Sequence, residues 1–129
     1  MTDMGTIISG FVQEGNEKTD QFEHYLVQLE QNSGSRELVI ELFRILHTIK
    51  GSTGFLGCTK LCGLAHDGEQ LLACLRDRSL APSPEIFGAL FSLIDATREI
   101  LSEIEISGKE GAKDYGTLAT TLKRLQRAA

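Results

Sequence analysis

The sequence HTIKGSTGFLG at residues 47–57 ends an amphipathic run that begins near Arg36. Each residue of an α-helix advances by about 100°, so apolar residues spaced i, i+4, i+7 and i+11 form one stripe that must be buried. His47 lies about 170° from the centre of that stripe by the same helical pitch. We therefore expect its imidazole to face solvent. The stripe consists of Leu38, Leu42, Ile45 and Ile49.

Two glycines share the helix face of His47. Gly51 and Gly54 follow it at i+4 and i+7, and a glycine within a helix costs about 1 kcal/mol relative to alanine. We interpret them as a bare strip of backbone that a bulky partner can approach closely. Lys50, at i+3, can bring a positive charge to the same place. For His47 or Lys50 considered alone, the simpler interpretation is a solvated side chain near a helix end.

The composition favours one helical domain and excludes several classes of function. The chain has 129 residues, only two prolines and no tryptophan, and its length suits a single domain with a real core. A net charge of −5 argues against nucleic acid or an anionic membrane as a partner. No run approaches the roughly 20 apolar residues of a membrane span. No export signal is recognisable, and three cysteines suit a reducing cytoplasm.

Helical periodicity recurs along the chain and predicts an all-α fold. Short connections favour an antiparallel up-and-down four-helix bundle with a fifth, shorter C-terminal helix. Ser35 and Ser83 are expected N-caps, the latter with Pro84 at the first helical position. The expected helices cover about residues 6–31, 36–54, 58–77, 84–106 and 113–127. We expect four charged residues near the end of the fourth helix to be solvated and without a role: Glu103, Glu105, Lys109 and Glu110.

A second group of polar residues lies on the third helix. His66 is expected opposite the buried stripe of that helix, and Glu69 about 60° from His66 on the flank. A tight link between the second and third helices can bring both residues beside His47. A carboxylate next to an imidazole fixes its tautomer and makes the other ring nitrogen a better nucleophile. With Lys50 to favour an arriving anion, this pattern suits a reversible phosphoryl acceptor.

These residues resemble a known family. The match comprises His47-Thr-Ile-Lys50-Gly51 and, nineteen residues after His47, the pattern Leu-Ala-His66-x-x-Glu69-x-Leu-Leu. The two motifs together are similar to the histidine-containing phosphotransfer (HPt) domain, and most similar to its chemotaxis-kinase, or CheA, type. The match is dense from about residue 42 to residue 75 and covers the remaining helices only in number and length.

The resemblance implies a role for each matching residue. His47 would be phosphorylated on Nε2, Glu69 would hold its Nδ1 side, and Lys50 and His66 would complete the hydrogen-bonded surround. Gly51 and Gly54 would keep steric access open. The resemblance thereby makes the whole chain, residues 1–129, a single HPt domain.

The resemblance also implies partners. The phosphoryl donor would be ATP in the ATP-binding domain of a histidine kinase, and the acceptor an aspartate in the CheY-like receiver domain of a response regulator. ATP and magnesium would belong to those partners, and this domain alone would bind no cofactor and have no catalytic activity. It would be the phosphoacceptor fragment of a CheA-type histidine kinase, cytoplasmic and monomeric in isolation, with neither nucleic acid nor membrane as a partner.

Two other classes of function compete with a phosphoryl carrier. Cys58, Cys62 and His66 lie at i, i+4 and i+8 on one helical stripe, and thiolate and imidazole are zinc ligands. Three ligands spread over about 12 Å of a straight helix are too far apart for one tetrahedral ion, so such a site would need help from residues such as Glu69 or His47. A purely structural helical adaptor would use the same bundle without using His47.

Overall fold

The computed structural model describes residues 3–129, apart from the side chain of Phe55. These residues form five α-helices and, over the same range, no β-strand, which confirms the all-α prediction. No helix among them is long and apolar enough to cross a membrane. The helices are α1 (Met4–Gln31), α2 (Arg36–Ser52), α3 (Thr59–Arg76), α4 (Pro84–Ser107) and α5 (Gly116–Gln126), with a 3-10 turn (Thr53–Phe55) between α2 and α3.

Side chains just outside the helices determine where they begin. The hydroxyl of Ser35 accepts from the backbone N–H of Leu38, and that of Ser83 accepts from the N–H of Ile86. Both are N-caps, as the sequence predicts, because each satisfies a backbone donor that the first helical turn leaves without a partner. At the other end of α4, Gly108 takes the left-handed conformation, with φ of 77°, which a glycine adopts without steric penalty.

Three helix ends differ from the sequence prediction by more than one residue, and at each of them a side chain forms a hydrogen bond with the backbone. The second helix was expected to reach residue 54, but α2 ends at Ser52 and continues as the 3-10 turn, where the Thr53 hydroxyl donates to the Lys50 carbonyl over 2.6 Å. The fifth helix was expected from residue 113. It begins at Gly116, whose N–H donates to the Asp114 side chain. The first helix begins at Met4, before the expected residue 6.

The helices pack in pairs around one apolar core. Helix α2 packs on α3, α1 packs on both α4 and α2, and α5 packs on α3 and α4. In α2 the expected stripe is buried at three of its four positions, while Leu38 is only half-buried. The buried face is centred slightly further along the helix, where Val39 and Leu46 also join the core. Leucines without any exposed surface hold the centre: Leu26, Leu29, Leu42, Leu71, Leu72 and Leu90.

The beginning of α3 is capped by a residue from the far end of the chain. Glu110 accepts hydrogen bonds from the backbone N–H groups of Lys60 and Leu61, at 3.1 and 2.8 Å. A carboxylate at a helix N-terminus satisfies free donors and is favoured by the helix dipole. The sequence prediction that Glu110 is a solvated residue without a role is therefore wrong. The cap is invisible to local patterns because about fifty residues separate the partners.

Gly68 lies where α3 packs tightly against side chains of α2 and α4. A Cβ at this position would be 2.6 Å from Leu93 Cδ2 and 2.9 Å from Leu46 Cδ1, so Gly68→Ala should destabilise the fold by about 1–3 kcal/mol through overpacking. Gly63 is on the same helix with nothing within 4 Å of such a Cβ, so Gly63→Ala should stabilise it by about 1 kcal/mol. Urea unfolding of both variants measures the difference, and equal effects would contradict the close packing at Gly68.

Candidate functional site

His47 presents its imidazole on the outside of α2. Its side chain is 65% exposed, although its neighbours Leu46 and Ile49 are in the core. The exposure follows from helical geometry, because His47 lies opposite the residues that α2 buries. The ring is therefore accessible to another molecule.

Glu69, on α3, lies directly against this imidazole. Its Oε2 is 3.4 Å from His47 Nδ1, and the residue is only 5% exposed. The sequence prediction that Glu69 lies on the flank of its helix is thus wrong with respect to burial. Helix α2 packs closely on α3, with Gly68 leaving room for Leu46, and the contact covers the carboxylate.

Lys50 compensates the charge of this buried carboxylate. Its Nζ is 3.1 Å from each of the two oxygens of Glu69. A buried carboxylate is costly unless it is paired and hydrogen-bonded, and here one cation and one imidazole occupy its oxygens. Together they fix the carboxylate in one orientation towards His47. The structure thus brings together three of the four residues expected to contact one another: His47, Lys50 and Glu69.

His66 does not join this group of contacts. Its Nδ1 is 3.7 Å from Asp67 Oδ1, and its side chain is 55% exposed. Within residues 3–129 no hydrogen bond joins His66 to His47, Lys50 or Glu69. Asp67 in turn is 3.8 Å from Lys123 Nζ on α5. The expectation that His66 completes the hydrogen-bonded surround is therefore not met in this structure, where the ring has an acidic neighbour of its own.

The two glycines near His47 leave open space beside it. A Cβ built on Gly51 or on Gly54 would meet nothing within 4 Å. The packing of this chain therefore does not require glycine at either position. Any requirement for a bare backbone there must come from a molecule that approaches from outside.

The contact with Glu69 determines what His47 can do chemically. A carboxylate accepts a hydrogen bond, so it favours the neutral tautomer with the proton on Nδ1. The lone pair is then on Nε2, at the other edge of an exposed ring. An imidazole oriented in this way by a fixed base is an activated nucleophile. The carboxylate also stabilises the positive charge that develops on the ring when Nε2 forms a bond.

The cysteines near the site are not arranged as zinc ligands. Cys58 is buried at the start of α3, and burial, with a smaller effect of Glu110, raises the pKa of its thiol to about 11. In the described part of the chain, no three or more histidine, cysteine and acidic side chains lie close enough to hold a metal ion.

Sequence reasoning did not identify one neighbour of His47. The ring of Phe43 lies parallel to the imidazole, with an interplanar angle of 8° and a centroid separation of 6.3 Å. Phe43 precedes His47 by four residues, and side chains at i and i+4 meet on one helix face. The i, i+4 spacing in the sequence could therefore have predicted this contact.

Comparisons with known proteins identify relatives of this chain. The chain is 32% identical over 115 residues to the chemotaxis protein CheA of Halobacterium salinarum, covering 89% of this chain and 17% of that protein. It is 33% identical over 110 residues to the sensor histidine kinase CheAY of Helicobacter pylori, covering 85% of this chain and 14% of that protein. The chain thus spans less than a fifth of the length of these curated relatives.

A solved structure shares the fold over almost the whole chain. It is the phosphorylated P1 domain of CheA3 from R. sphaeroides, in complex with CheY6. The two folds superpose with a TM-score of 0.85 at 26% identity, covering 97% of this chain and 99% of that domain. The model of the Hpt domain family matches residues 7–128. Because that match takes in almost the entire sequence, the chain belongs to the Hpt domain family.

Proposed function

We propose that this chain is a phosphoryl carrier in chemotaxis-type two-component signalling, with His47 as the residue that is phosphorylated. The observation that supports this best is the exposed imidazole held at Nδ1 by a buried carboxylate that Lys50 neutralises. Membership of the Hpt family and the phosphorylated state of the R. sphaeroides relative support the same conclusion.

In the accepting step, Nε2 of neutral His47 attacks the γ-phosphorus of ATP bound to a histidine kinase catalytic domain. The new bond joins Nε2 to phosphorus, the bond from phosphorus to the β–γ bridging oxygen breaks, and ADP leaves with that electron pair. The proton on Nδ1 stays in place, and Glu69 balances the positive charge of the ring. Phosphoryl transfer needs positioning and charge stabilisation above all, and the residues around His47 are suited to provide both.

In the donating step, an aspartate carboxylate of a response regulator receiver domain attacks the same phosphorus. The bond from Nε2 to phosphorus breaks, and its electron pair returns to the imidazole, which is again neutral. The CheA3 domain of R. sphaeroides in complex with CheY6 supports a CheY-like receiver as the partner. We propose that ATP and magnesium are held by the kinase and receiver domains, so that this domain supplies the histidine and its surround.

The relatives also support a proposal about the protein to which this domain belongs. We propose that the chain is the phosphoacceptor part of a CheA-type histidine kinase, cytoplasmic and monomeric in isolation. For the architecture, we infer an antiparallel up-and-down bundle of α1–α4 with α5 at its side. The short connections and the packing pairs support it, as does the hydrogen bond from Arg36 Nε, at the start of α2, to the carbonyl of Arg76, at the end of α3.

Within the described residues, His66 forms no hydrogen bond with the unphosphorylated His47, so we propose that it acts only after phosphorylation. It lies one turn before Glu69 on α3 with an exposed side chain. We propose that it donates to a phosphoryl oxygen once the group is on His47, since a phosphoryl group adds strong hydrogen-bond acceptors. His66→Gln should then shorten the lifetime of the phosphorylated domain more than it slows labelling.

The function is tested by following the phosphoryl group through both steps. The domain is first incubated with radiolabelled ATP and a CheA-type kinase catalytic domain. ATP is then removed, and the labelled domain is mixed with a CheY-like receiver domain and magnesium. The proposal expects an acid-labile, base-stable label on this chain that moves to the receiver. A chain that takes no label from kinases that phosphorylate their own HPt domains would support the structural adaptor instead.

The bare backbone at Gly51 gives a separate prediction about the access of a partner to His47. A long side chain on a helix covers the turn before it, so Gly51→Leu would cover the surface next to His47. We expect transfer from the kinase to fall at least about 10-fold, with stability unchanged or slightly raised because the site is open. Gly88→Leu on α4 is the matched control, since Gly88 is equally open. Equal labelling of the two variants would show that access is not limiting.

A further inference from the structure

Phe43 and His47 form a stacked pair on the surface of α2. Their rings are parallel to within 8°, with centroids 6.3 Å apart, which is within the range of offset-stacked aromatic pairs. Phe43 is half-buried and packs against the core with part of its side chain. The imidazole therefore lies beside a ring that the fold itself holds in place.

Arg76 of α3 contacts the same aromatic ring. Its guanidinium carbon is 4.8 Å from the ring centroid of Phe43, which is a cation–π distance. Two further contacts hold Arg76 in place, because its Nε donates to Asp77 and its carbonyl accepts from Arg36 Nε. Phe43 thus packs on the core below and against a guanidinium from the neighbouring helix.

The contact with Glu69 alone does not fix the imidazole. At 3.4 Å, the separation of Nδ1 and Oε2 is longer than the usual 2.7–3.2 Å for such a hydrogen bond. A single contact at one corner of an exposed ring also leaves the ring free to tilt about the line between the two atoms. A flat neighbour parallel to the ring opposes that tilt.

We infer that Phe43 is a positioning residue for His47 and that Arg76 acts through Phe43. The phenyl ring lies parallel to the imidazole at a centroid separation of 6.3 Å, and the His47 side chain remains 65% exposed, so the contact restrains the ring and leaves the imidazole accessible. The inference rests on the proposed function for its consequence, the rate of phosphorylation. The orientation of the ring can be measured independently of that function.

The first experiment measures orientation by NMR on the unphosphorylated chain. The ring current of a parallel phenyl ring 6.3 Å away should displace the chemical shifts of the His47 ring protons, and Phe43→Leu should remove that displacement while Phe43→Tyr keeps it. Phe91→Leu on α4 is the control, because Phe91 is a phenylalanine of similar burial on another helix. Unchanged His47 ring protons in Phe43→Leu would overturn the inference.

The second experiment measures labelling by the kinase domain. Phe43→Leu should slow phosphorylation about 10-fold, Phe43→Tyr should restore it, and Phe91→Leu should leave it at the rate of the unmodified chain. Arg76→Gln should have a smaller effect and should add nothing in the double variant, since Arg76 acts through the ring. Arg76→Gln also provides a test of the inference if the Phe43→Leu variant folds poorly.

The outcomes separate the inference from the proposed function. If the unmodified chain takes no label but its His47 protons respond to Phe43→Leu, the function fails and the positioning stands. If the unmodified chain is labelled and Phe43→Leu is labelled at the same rate, the positioning role of Phe43 fails and the function stands. If Arg76→Gln lowers the rate further in the double variant, Arg76 does not act through Phe43.

Discussion

His47→Gln should abolish phosphorylation of this chain. The glutamine amide has no nucleophilic nitrogen lone pair, so no bond to phosphorus can form at this position. The fold should be unaffected, because the His47 side chain is 65% exposed and surface substitutions usually change the free energy of unfolding by less than about 0.5 kcal/mol. The measurement is labelling by radiolabelled ATP and a kinase catalytic domain, with urea unfolding to establish that the variant is folded.

The chain offers one matched control for this loss, at His24, because His66 is proposed to contact the phosphoryl group. The remaining histidines of the chain are His24 and His66, which are both exposed. His24 lies on α1, where its ring is paired with Gln28, so His24→Gln should label at the full rate. His66→Gln should also be labelled. Label that persists in His47→Gln, or that disappears in His24→Gln, would refute the assignment of His47.

Local spacing was sufficient to predict the parts of the structure that depend on helix geometry alone. The period of the apolar residues in α2 predicts which side of the helix is buried, and the same period turns His47 outward. The N-caps at Ser35 and Ser83 follow from residue type next to a periodic run. These features need only a few neighbouring residues, so they can be derived from a single sequence.

Features that depend on contacts between distant segments were missed or placed wrongly. Glu110 caps α3 from about fifty residues away, and nothing in its own surroundings indicates that role. Glu69 was expected on the flank because angles around an isolated helix do not include the neighbour that covers it. The contact between Arg76 and Phe43 likewise joins two helices. In each case the missing information is which distant segments meet in the folded chain and how closely they pack.

Because Glu69 is buried against His47, its substitution tests whether the negative charge of the carboxylate is needed for phosphorylation. Glu69→Gln keeps the size of the side chain, and its amide oxygen can still accept from His47 Nδ1. The negative charge is lost, so nothing balances the positive ring that forms when Nε2 is phosphorylated. We expect phosphorylation to slow by about 10- to 100-fold. Glu69→Ala should slow it further and destabilise the fold by about 1–3 kcal/mol, since Lys50 loses its partner.

Glu110→Gln distinguishes the chemistry of Glu69 from a general loosening of α3. Glu110 is also a carboxylate that contacts α3, at the helix N-terminus, through two backbone N–H groups. Its substitution should reduce stability by about 1 kcal/mol and leave the phosphorylation rate unchanged. If Glu69→Gln is labelled at the full rate, the charge of Glu69 is not needed to balance the ring. If Glu110→Gln slows labelling as much as Glu69→Gln does, the rate reflects the stability of α3, and the direct contact between the carboxylate and the imidazole has no special part in the reaction.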